Sequence, residues 1–160
     1  MEKQKTLREH YLEVIKDSYI TAISFTGFQV KGFLKDGDLH NIILAKNKQY
    51  GGCKDVLLEN FLAIIPEDPI NVYPYPCSDN EKAIRTEYLF DLLEQQIIAF
   101  SANGFQLSGK LVCFDDKDIV IETRHYGRSL QVLMCNIVTV APNWDLQTHP
   151  ACPGGCFLFL

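Results

Sequence analysis

GFQVKGFL at residues 27–34 and GFQLSGKL at residues 104–111 are two versions of one sequence motif, separated by 77 positions. At the same shift, and without a gap, identical residues recur on both sides of the motif. The identical pairs are Arg8 and Arg85, Tyr11 and Tyr88, Leu12 and Leu89, Ile20 and Ile97, Ala22 and Ala99, Ser24 and Ser101, Gly27 and Gly104, Phe28 and Phe105, Gln29 and Gln106, Gly32 and Gly109, Leu34 and Leu111, Asp38 and Asp115, and Ile42 and Ile119. A match of this length predicts that one fold unit occurs twice in the chain.

The repeat divides the 160 residues into four parts. Residues 6–66 and 83–143 are the two units, residues 67–82 form a proline-rich linker, and residues 144–160 form a tail. Units of about 60 residues bury little apolar surface and often gain stability by association. We therefore expect the units to pack against each other or against further copies of the chain.

Each unit has the pattern of one short helix followed by five short strands. Apolar residues recur at spacings of three and four over Thr6–Lys16, and the matching segment of the second unit is Arg85–Leu93. Alternating apolar residues between tight turns predict strands at residues 20–24, 28–34, 41–46, 55–58 and 61–65, and at 97–102, 105–114, 118–124, 130–134 and 137–141. Successive strands lack connecting helices, which excludes a parallel βαβ sheet. The sequence predicts a mainly β protein in which each unit is a bent, five-stranded antiparallel barrel.

Composition narrows the class of protein. The formal net charge is −5, whereas proteins that hold nucleic acid through phosphate contacts usually carry surplus Lys and Arg. No apolar run approaches the ~20 residues of a membrane span, and the polar first residues do not resemble a secretory signal. We expect a cytoplasmic protein whose six cysteines are reduced thiols.

The second unit carries motifs of a known family. It reads Asn103-Gly104-Phe105-Gln106-Leu107-x-Gly109, then Phe114-Asp115, and closes with Ile137-x-Thr139-Val140-Ala141-Pro142. This resembles the bacterial Sm-like RNA chaperones of the Hfq family, and Gram-positive members most closely. The first unit is similar more loosely, with Thr26-Gly27 at its first turn and Ile64-Ile65-Pro66 at its end. The resemblance implies two Hfq-like Sm domains in tandem and a role in RNA binding and post-transcriptional regulation.

The resemblance also implies a ring. Hfq-like units associate in sixes through the exposed edges of their last two strands, and an exposed edge favours pairing. With two units in each chain, we expect a homotrimer that forms a pseudo-hexameric ring. The alternative is a single chain whose units pair only with each other.

On the face opposite the helices, the family binds purine-rich RNA by stacking bases around the first turn of each unit. The matching positions are Phe100, Asn103, Gly104, Phe105 and Gln106 in the second unit, and Ile23, Gly27, Phe28 and Gln29 in the first. Stacking contributes about 1–3 kcal/mol per base and tolerates a low net charge better than a phosphate clamp does. The alternative is that Phe28, Phe100 and Phe105 are core residues of a small barrel.

The family's uridine site, on the helical face, is reduced in this chain. The family's Gln near the helix start corresponds to Arg8 and Arg85, and its aromatic or polar residue two positions after the Asp corresponds to His40 and Lys117, which gives this chain four basic or imidazole residues there. The family's run of Tyr, Lys and His is replaced by Leu57-Leu58-Glu59 and by Leu133-Met134-Cys135, and its arginine-rich rim by Lys16-Asp17 and Leu93-Glu94. We expect purine-rich single-stranded RNA to be the ligand, and little binding of uridine-rich RNA.

Residues that could support catalysis or hold a metal do not form a known pattern. Cys152 and Cys156 have a spacing that a zinc knuckle permits, with His149 as a further ligand, but idle thiols are the simpler interpretation. Asp38 and Asp115 are predicted to accept hydrogen bonds within turns, and Asp116 and Asp118 to be exposed. We expect no enzyme, no cofactor and no metal.

A second hypothesis keeps the ring without RNA binding. Acidic residues at Asp17, Glu59 and Glu94 would suit a protein whose partner is another, basic protein. In that case the chain is a protein-interaction module of the same fold.

Overall fold

The computed structural model describes residues 6–71, 84–101, 106–115, 117–125 and 127–143. These residues form a mainly β protein, in which ten antiparallel strands make one open sheet. A helix precedes the first five strands, and a second short helix precedes the other five. We call residues 6–71 the first half and residues 84–143 the second half.

The helices and strands lie close to their predicted positions. The first half contains α1 (Leu7–Val14), β1 (Tyr19–Ser24), β2 (Gln29–Gly37), β3 (Asn41–Ala45), β4 (Lys54–Leu57) and β5 (Phe61–Pro66), with a 3₁₀ turn at Leu58–Asn60. The second half contains α2 (Ile84–Leu92), β6 (Gln96–Ser101), β7 (Gln106–Phe114), β8 (Ile119–His125), β9 (Arg128–Met134) and β10 (Ile137–Pro142). Residues 72–82 of the predicted linker, together with residue 83 and the tail from residue 144, lie outside the described residues, whereas linker residues 67–71 are described.

The two halves have the same strand order. It is β5-β1-β2-β3-β4 in the first half and β10-β6-β7-β8-β9 in the second. The pairing of β2 with β3 shifts register between Leu34 and Asp36, and that of β7 with β8 shifts between Leu111 and Cys113, the positions 77 residues later. Since a bulge bends the strand that carries it, the repeated sequence bends both halves at the same place.

Both helices end where a left-handed residue turns the chain into the sheet. The Thr6 side chain caps α1 in a capping box with Glu9, which satisfies amides that have no partner within the helix. After the helices, Asp17 and its repeat partner Glu94 have φ angles of 71° and 69°. Their backbone N–H groups donate to the carbonyl oxygens of Leu34, at 2.7 Å, and Leu111, at 2.9 Å. The helix predicted to reach Lys16 therefore stops at Val14.

Strands β5 and β9 join the two halves into one sheet. Ala63 lies opposite Met134 and Ile64 opposite Leu133, and the Cys135 N–H donates to the Leu62 carbonyl at 2.8 Å. The side-chain amide of Asn136 donates to the Phe61 carbonyl at 2.7 Å. We call this contact, together with the packing of α1 described next, the internal junction.

Helix α1 covers the internal junction. One apolar cluster combines its residues Leu7, Tyr11, Leu12 and Ile15 with strands of the first half and with Val112, Val120 and Leu133 of the second. A second cluster is centred on the second half and takes in Ala63 of β5. The halves therefore share core residues in both directions, so they are packed against each other as well as paired.

Tyr11 is fully buried in this junction. Its hydroxyl donates to the Gln131 carbonyl oxygen at 2.7 Å and lies 3.2 Å from the Ile64 carbonyl oxygen. Burial raises the pKa of the Tyr11 hydroxyl well above its ordinary value near 10. Its repeat partner Tyr88 is 45% exposed, and its hydroxyl lies 3.3 Å from the Val140 carbonyl oxygen.

We predict that Tyr11→Phe lowers the free energy of unfolding by about 1 kcal/mol at neutral pH, because the Gln131 carbonyl loses its donor. Stability from Tyr11 is fully present below pH ~10, where the unfolded chain keeps its proton, and falls as the pH rises further. Tyr11→Phe should therefore flatten the loss of stability between pH ~10 and ~12. Urea unfolding across this range measures both effects, with Tyr88→Phe as the exposed control. If the stability of Tyr11→Phe fell as steeply over this pH range as that of the unsubstituted chain, the loss of stability would not be due to Tyr11.

None of the helices among the described residues is long and apolar enough to span a bilayer. The described cysteines, Cys53, Cys113 and Cys135, are all free thiols.

Candidate functional site

The structure pairs two of the predicted RNA-binding residues across strands β6 and β7. Phe100 lies directly opposite Gln106. Phe100 is half-buried and alternates with the buried residues Ala99 and Ser101, so its ring is on the sheet face that points away from the cluster containing Ala99. Gln106 shares that face because directly opposed residues point the same way.

The first half repeats this arrangement on β1 and β2. Ile23 lies opposite Gln29 and alternates with the buried residues Ala22 and Ser24. Ile23 and Gln29 therefore occupy the places of Phe100 and Gln106. The ring of Phe100 is the main difference between the two sites.

Phe28 stands at the tip of the turn between β1 and β2. The Ser24 N–H donates to the Phe28 carbonyl at 2.9 Å, and the Gly27 N–H donates to the Ser24 carbonyl at 3.0 Å. Gly27 has φ +83°, a conformation that favours glycine. The Phe28 ring is 64% exposed. Its interpretation as a core residue is wrong, because the turn holds it outside the core.

Asn103, Gly104 and Phe105, predicted to form the corresponding turn of the second half, lie outside the described residues. Their roles stay predictions.

Lys31 belongs to the candidate surface although the sequence analysis did not single it out. It is exposed and lies two residues after Gln29 on β2, hence on the same face. Alternation from Gln29 would have been enough to find it. In the second half, Lys110 is on the equivalent face, but its ammonium lies 3.2 Å from Glu122 and 3.4 Å from Glu94. The hydrogen bond to Glu122 raises the pKa of Lys110. Lys31 is therefore a cation that this face offers to a phosphate.

A groove of about 450 Å³ surrounds Lys110, between the end of the first half at Asn71 and strands β7 to β9. Two carboxylates, Glu94 and Glu122, line it with Lys110. Since the carboxylates outnumber the cation, the groove disfavours a phosphate group. The groove is therefore not part of the candidate surface, which lies at the strand ends near Phe28 and Phe100.

Of the four basic residues predicted on the helical face, Arg8 is bound within the internal junction. Its Nε and Nη2 atoms donate to the two carboxylate oxygens of Asp118 at 2.9 Å and 2.8 Å, and Nη1 donates to the Leu39 carbonyl at 2.6 Å. The exposed fractions of the Arg8 and Asp118 side chains are 11% and 4%. Arg8 thus joins the two halves.

His40 and Lys117 are exposed and occupy matching turns. The Asp38 carboxylate accepts from the N–H groups of His40 and Asn41, each at 2.8 Å. Asp115 accepts in the same way from Lys117, at 2.9 Å, and from Asp118, at 2.8 Å. The predicted turn roles of Asp38 and Asp115 are confirmed. The two N–H donors lower the pKa of Asp38.

The prediction that Asp118 is exposed was wrong. The residue is 3% exposed because α1 of the other half lies over it, and burial raises the pKa of its carboxyl against the opposing effect of Arg8. Both oxygens accept from Arg8, so the pair is a charged, two-point contact. Burial also raises the pKa of the neighbouring Cys135 thiol, which leaves the thiol neutral.

Arg85 lies in α2, and its side chain is outside the described part of the chain, as are Cys152, Cys156 and His149. Within the described ranges, no group of three or more His, Cys, Asp or Glu residues is placed to hold a metal ion.

No family model matches the chain, and no curated protein matches it.

Proposed function

We propose that the chain is a tandem Sm-like protein of the Hfq type, in which each half is one bent five-stranded barrel, and that it binds RNA in the cytoplasm. Three observations support this proposal. The halves have the same strand order, they have bulges at matching positions, and the second half carries the sequence motif around Gly104. No step of catalysis is part of it.

Purine-rich single-stranded RNA is the proposed ligand. The observation that carries this choice is the Phe28 ring, which is 64% exposed at the tip of a turn. This turn leads into β2, on which Gln29 and Lys31 are exposed. An exposed ring stacks on a base, an amide reads the base edge, and a lysine offsets one phosphate. Phe100 and Gln106 provide the same kind of groups in the second half, and Asn103, Gly104 and Phe105 are proposed to complete them.

The proposed assembly is a homotrimer that closes a pseudo-hexameric ring. Among the described residues, β4 and β10 end the sheet and have a neighbour on one side only. Strand β4 is the fourth strand of the first half, and β10 is the fifth strand of the second half. The internal junction pairs the same two kinds of strand, because β9 is the fourth strand of its half and β5 is the fifth. Pairing β10 with β4 of the next copy would repeat that junction and leave no exposed edge.

A titration with labelled A-rich, mixed purine and U-rich oligonucleotides at ~0.1 M salt tests the proposal. We expect micromolar or tighter binding of the first two and weaker binding of the third, because Arg8 is occupied by Asp118. Equal binding of all three would contradict stacking at the turns.

The rival function is a ring-forming protein-interaction module that has lost RNA binding. The net charge of −5 favours it, as do exposed carboxylates at Asp17 and Glu94. No binding of any of the three oligonucleotides would support this rival.

We predict that Phe28→Leu weakens binding of A-rich RNA by about tenfold to a hundredfold, in line with ~1–3 kcal/mol for one stacked base. Leucine keeps most of the apolar surface without the π face. Phe28→Tyr keeps the face and is the matched control, with an expected change of less than about threefold. Fluorescence anisotropy measures both. Equal losses in both variants would contradict a stacking role.

A further inference from the structure

The internal junction and the proposed junction between copies differ in their residues, which matters if the proposed ring forms. In the sheet register, Ile42 lies opposite Val56 and its repeat partner Ile119 lies opposite Met134. Ala22 lies opposite Ile64, and Ala99 lies opposite Val140. These matches fix which residues would meet if the internal junction were repeated between copies.

The apolar pairs of the internal junction become polar at the junction between copies. At the internal junction Leu133 lies opposite Ile64, whereas at the junction between copies Asp55 would lie opposite Val140. Likewise, Met134 lies opposite Ala63 at the internal junction, and Val56 would lie opposite Thr139 between copies. Leu133 and Met134 are fully buried, whereas Asp55 is exposed. Burying a carboxylate against valine is unfavourable unless it finds a partner.

The ion pair of the internal junction is missing as well. Asp118, which holds Arg8, stands 77 positions after Asn41. The side-chain amide of Asn41 donates to Asp55 at 2.8 Å. Arg85 is the repeat partner of Arg8, and the position in the next copy that corresponds to Asp118 carries the amide of Asn41 in place of a carboxylate.

At the open edge, Tyr88 makes one of the two hydroxyl contacts that its repeat partner Tyr11 makes at the internal junction. Tyr88 keeps the contact of its hydroxyl with the Val140 carbonyl oxygen, at 3.3 Å, as Tyr11 keeps that with Ile64, at 3.2 Å. The second acceptor, Gln131 for Tyr11, belongs to the neighbouring half. Tyr88 and Leu57, 45% and 49% exposed, lie at the two open edges and would be covered by a second copy.

We propose that a second copy of this chain binds at β4 and β10, and that Asn41 and Asp55 make this junction weaker than the internal one; the inference rests on the proposed ring. Whole chains then associate and separate reversibly while their two halves stay joined. Opening the ring in this way would give RNA a route on and off the assembly.

Sedimentation velocity over a range of concentrations tests the proposal with Asn41→Asp and Asp55→Leu, which copy the residues of the internal junction. We expect Asp55→Leu alone to lower the dissociation constant of the trimer by about tenfold, and the double variant by about a hundredfold. Adding Arg85→Ala to the double variant should cancel the part due to Asn41→Asp. Asp68→Leu replaces an exposed carboxylate outside both edge strands. It is the control for nonspecific association caused by an added leucine.

Three results would overturn the proposal. The first is an unsubstituted trimer that does not dissociate at nanomolar concentration. The second is a double variant that remains a single chain at every concentration. The third is hydrogen exchange that protects the β10 amides in the single chain, because the chain's own tail would then cover that edge. Anisotropy with A-rich RNA on the same samples separates this failure from failure of the RNA-binding proposal, since Phe28 is exposed in the single chain.

Discussion

Asp118→Asn should lower the free energy of unfolding by about 3–5 kcal/mol, the usual cost of removing one partner of a buried ion pair. The substitution keeps the shape of the side chain and leaves the Arg8 guanidinium, 11% exposed, without its carboxylate. Urea unfolding at neutral pH measures the change.

The chain provides a matched control. Arg128 and Asp68 form an ion pair at 2.9 Å, but their side chains are 47% and 79% exposed. Asp68→Asn should cost less than about 1 kcal/mol, because water screens an exposed pair. Equal effects of the two substitutions would contradict the claim that Arg8 and Asp118 hold the halves together. The double replacement of Arg8 and Asp118 by Leu should recover much of the loss, since no buried charge remains.

Gly109→Ala should destabilise the protein by about 3 kcal/mol. A Cβ atom at Gly109 would lie 2.5 Å from the Glu122 carbonyl oxygen and 3.1 Å from its carbonyl carbon. Both are backbone atoms of β8, so relief requires the paired strands to separate. Overpacking of this kind costs about 1–3 kcal/mol and sometimes more.

Substitutions of two further glycines give losses of stability with which that of Gly109→Ala can be compared. Gly32→Ala would place Cβ 2.9 Å from the Ala45 carbonyl oxygen, at the same repeat position, and should cost less than Gly109→Ala. Gly127 has φ +77°, and a Cβ atom added there would meet none of the described atoms within 4 Å. Gly127→Ala should therefore cost about 1–2 kcal/mol from backbone strain alone. Thermal unfolding of the three variants checks the order. A Gly109→Ala loss no larger than that of Gly127→Ala would show that the strands do not approach so closely.

Sequence repetition predicted the local structure of this protein well. Glycines at 32 and 109, the turn carboxylates Asp38 and Asp115, and the alternation of Ile20 and Ala22 are all short-range signals. They predicted both helices and the ten described strands to within a few residues. The helix ends differ because the left-handed residues Asp17 and Glu94 satisfy carbonyls of a distant strand, which no local pattern shows.

The internal junction was harder to predict. Asp118 follows an exposed turn and precedes a strand, so its local sequence is that of a surface residue. It is buried because Arg8, 110 positions earlier, lies over it. In the same way, Leu133 and Met134 predict an apolar strand but do not say that its neighbour is β5.

The candidate site was predicted in part. The pairs Phe100 with Gln106 and Ile23 with Gln29 are in register as the repeat implies. The exposure of Phe28 could not be decided from sequence, because an aromatic residue beside a turn glycine can point either way. The structure decides it through the Ser24 and Gly27 hydrogen bonds that close the turn.

Photo-crosslinking of an A-rich oligonucleotide that carries 8-azidoadenosine, followed by mass spectrometry of the peptides, tests the central claim most directly. We predict crosslinks within residues 23–31, which include the turn that bears Phe28, and within residues 100–106, the segment predicted to bind RNA in the second half. Crosslinks concentrated around His40 and Lys117, or none at concentrations that saturate binding, would contradict the claim that this chain stacks purines on the face away from its helices.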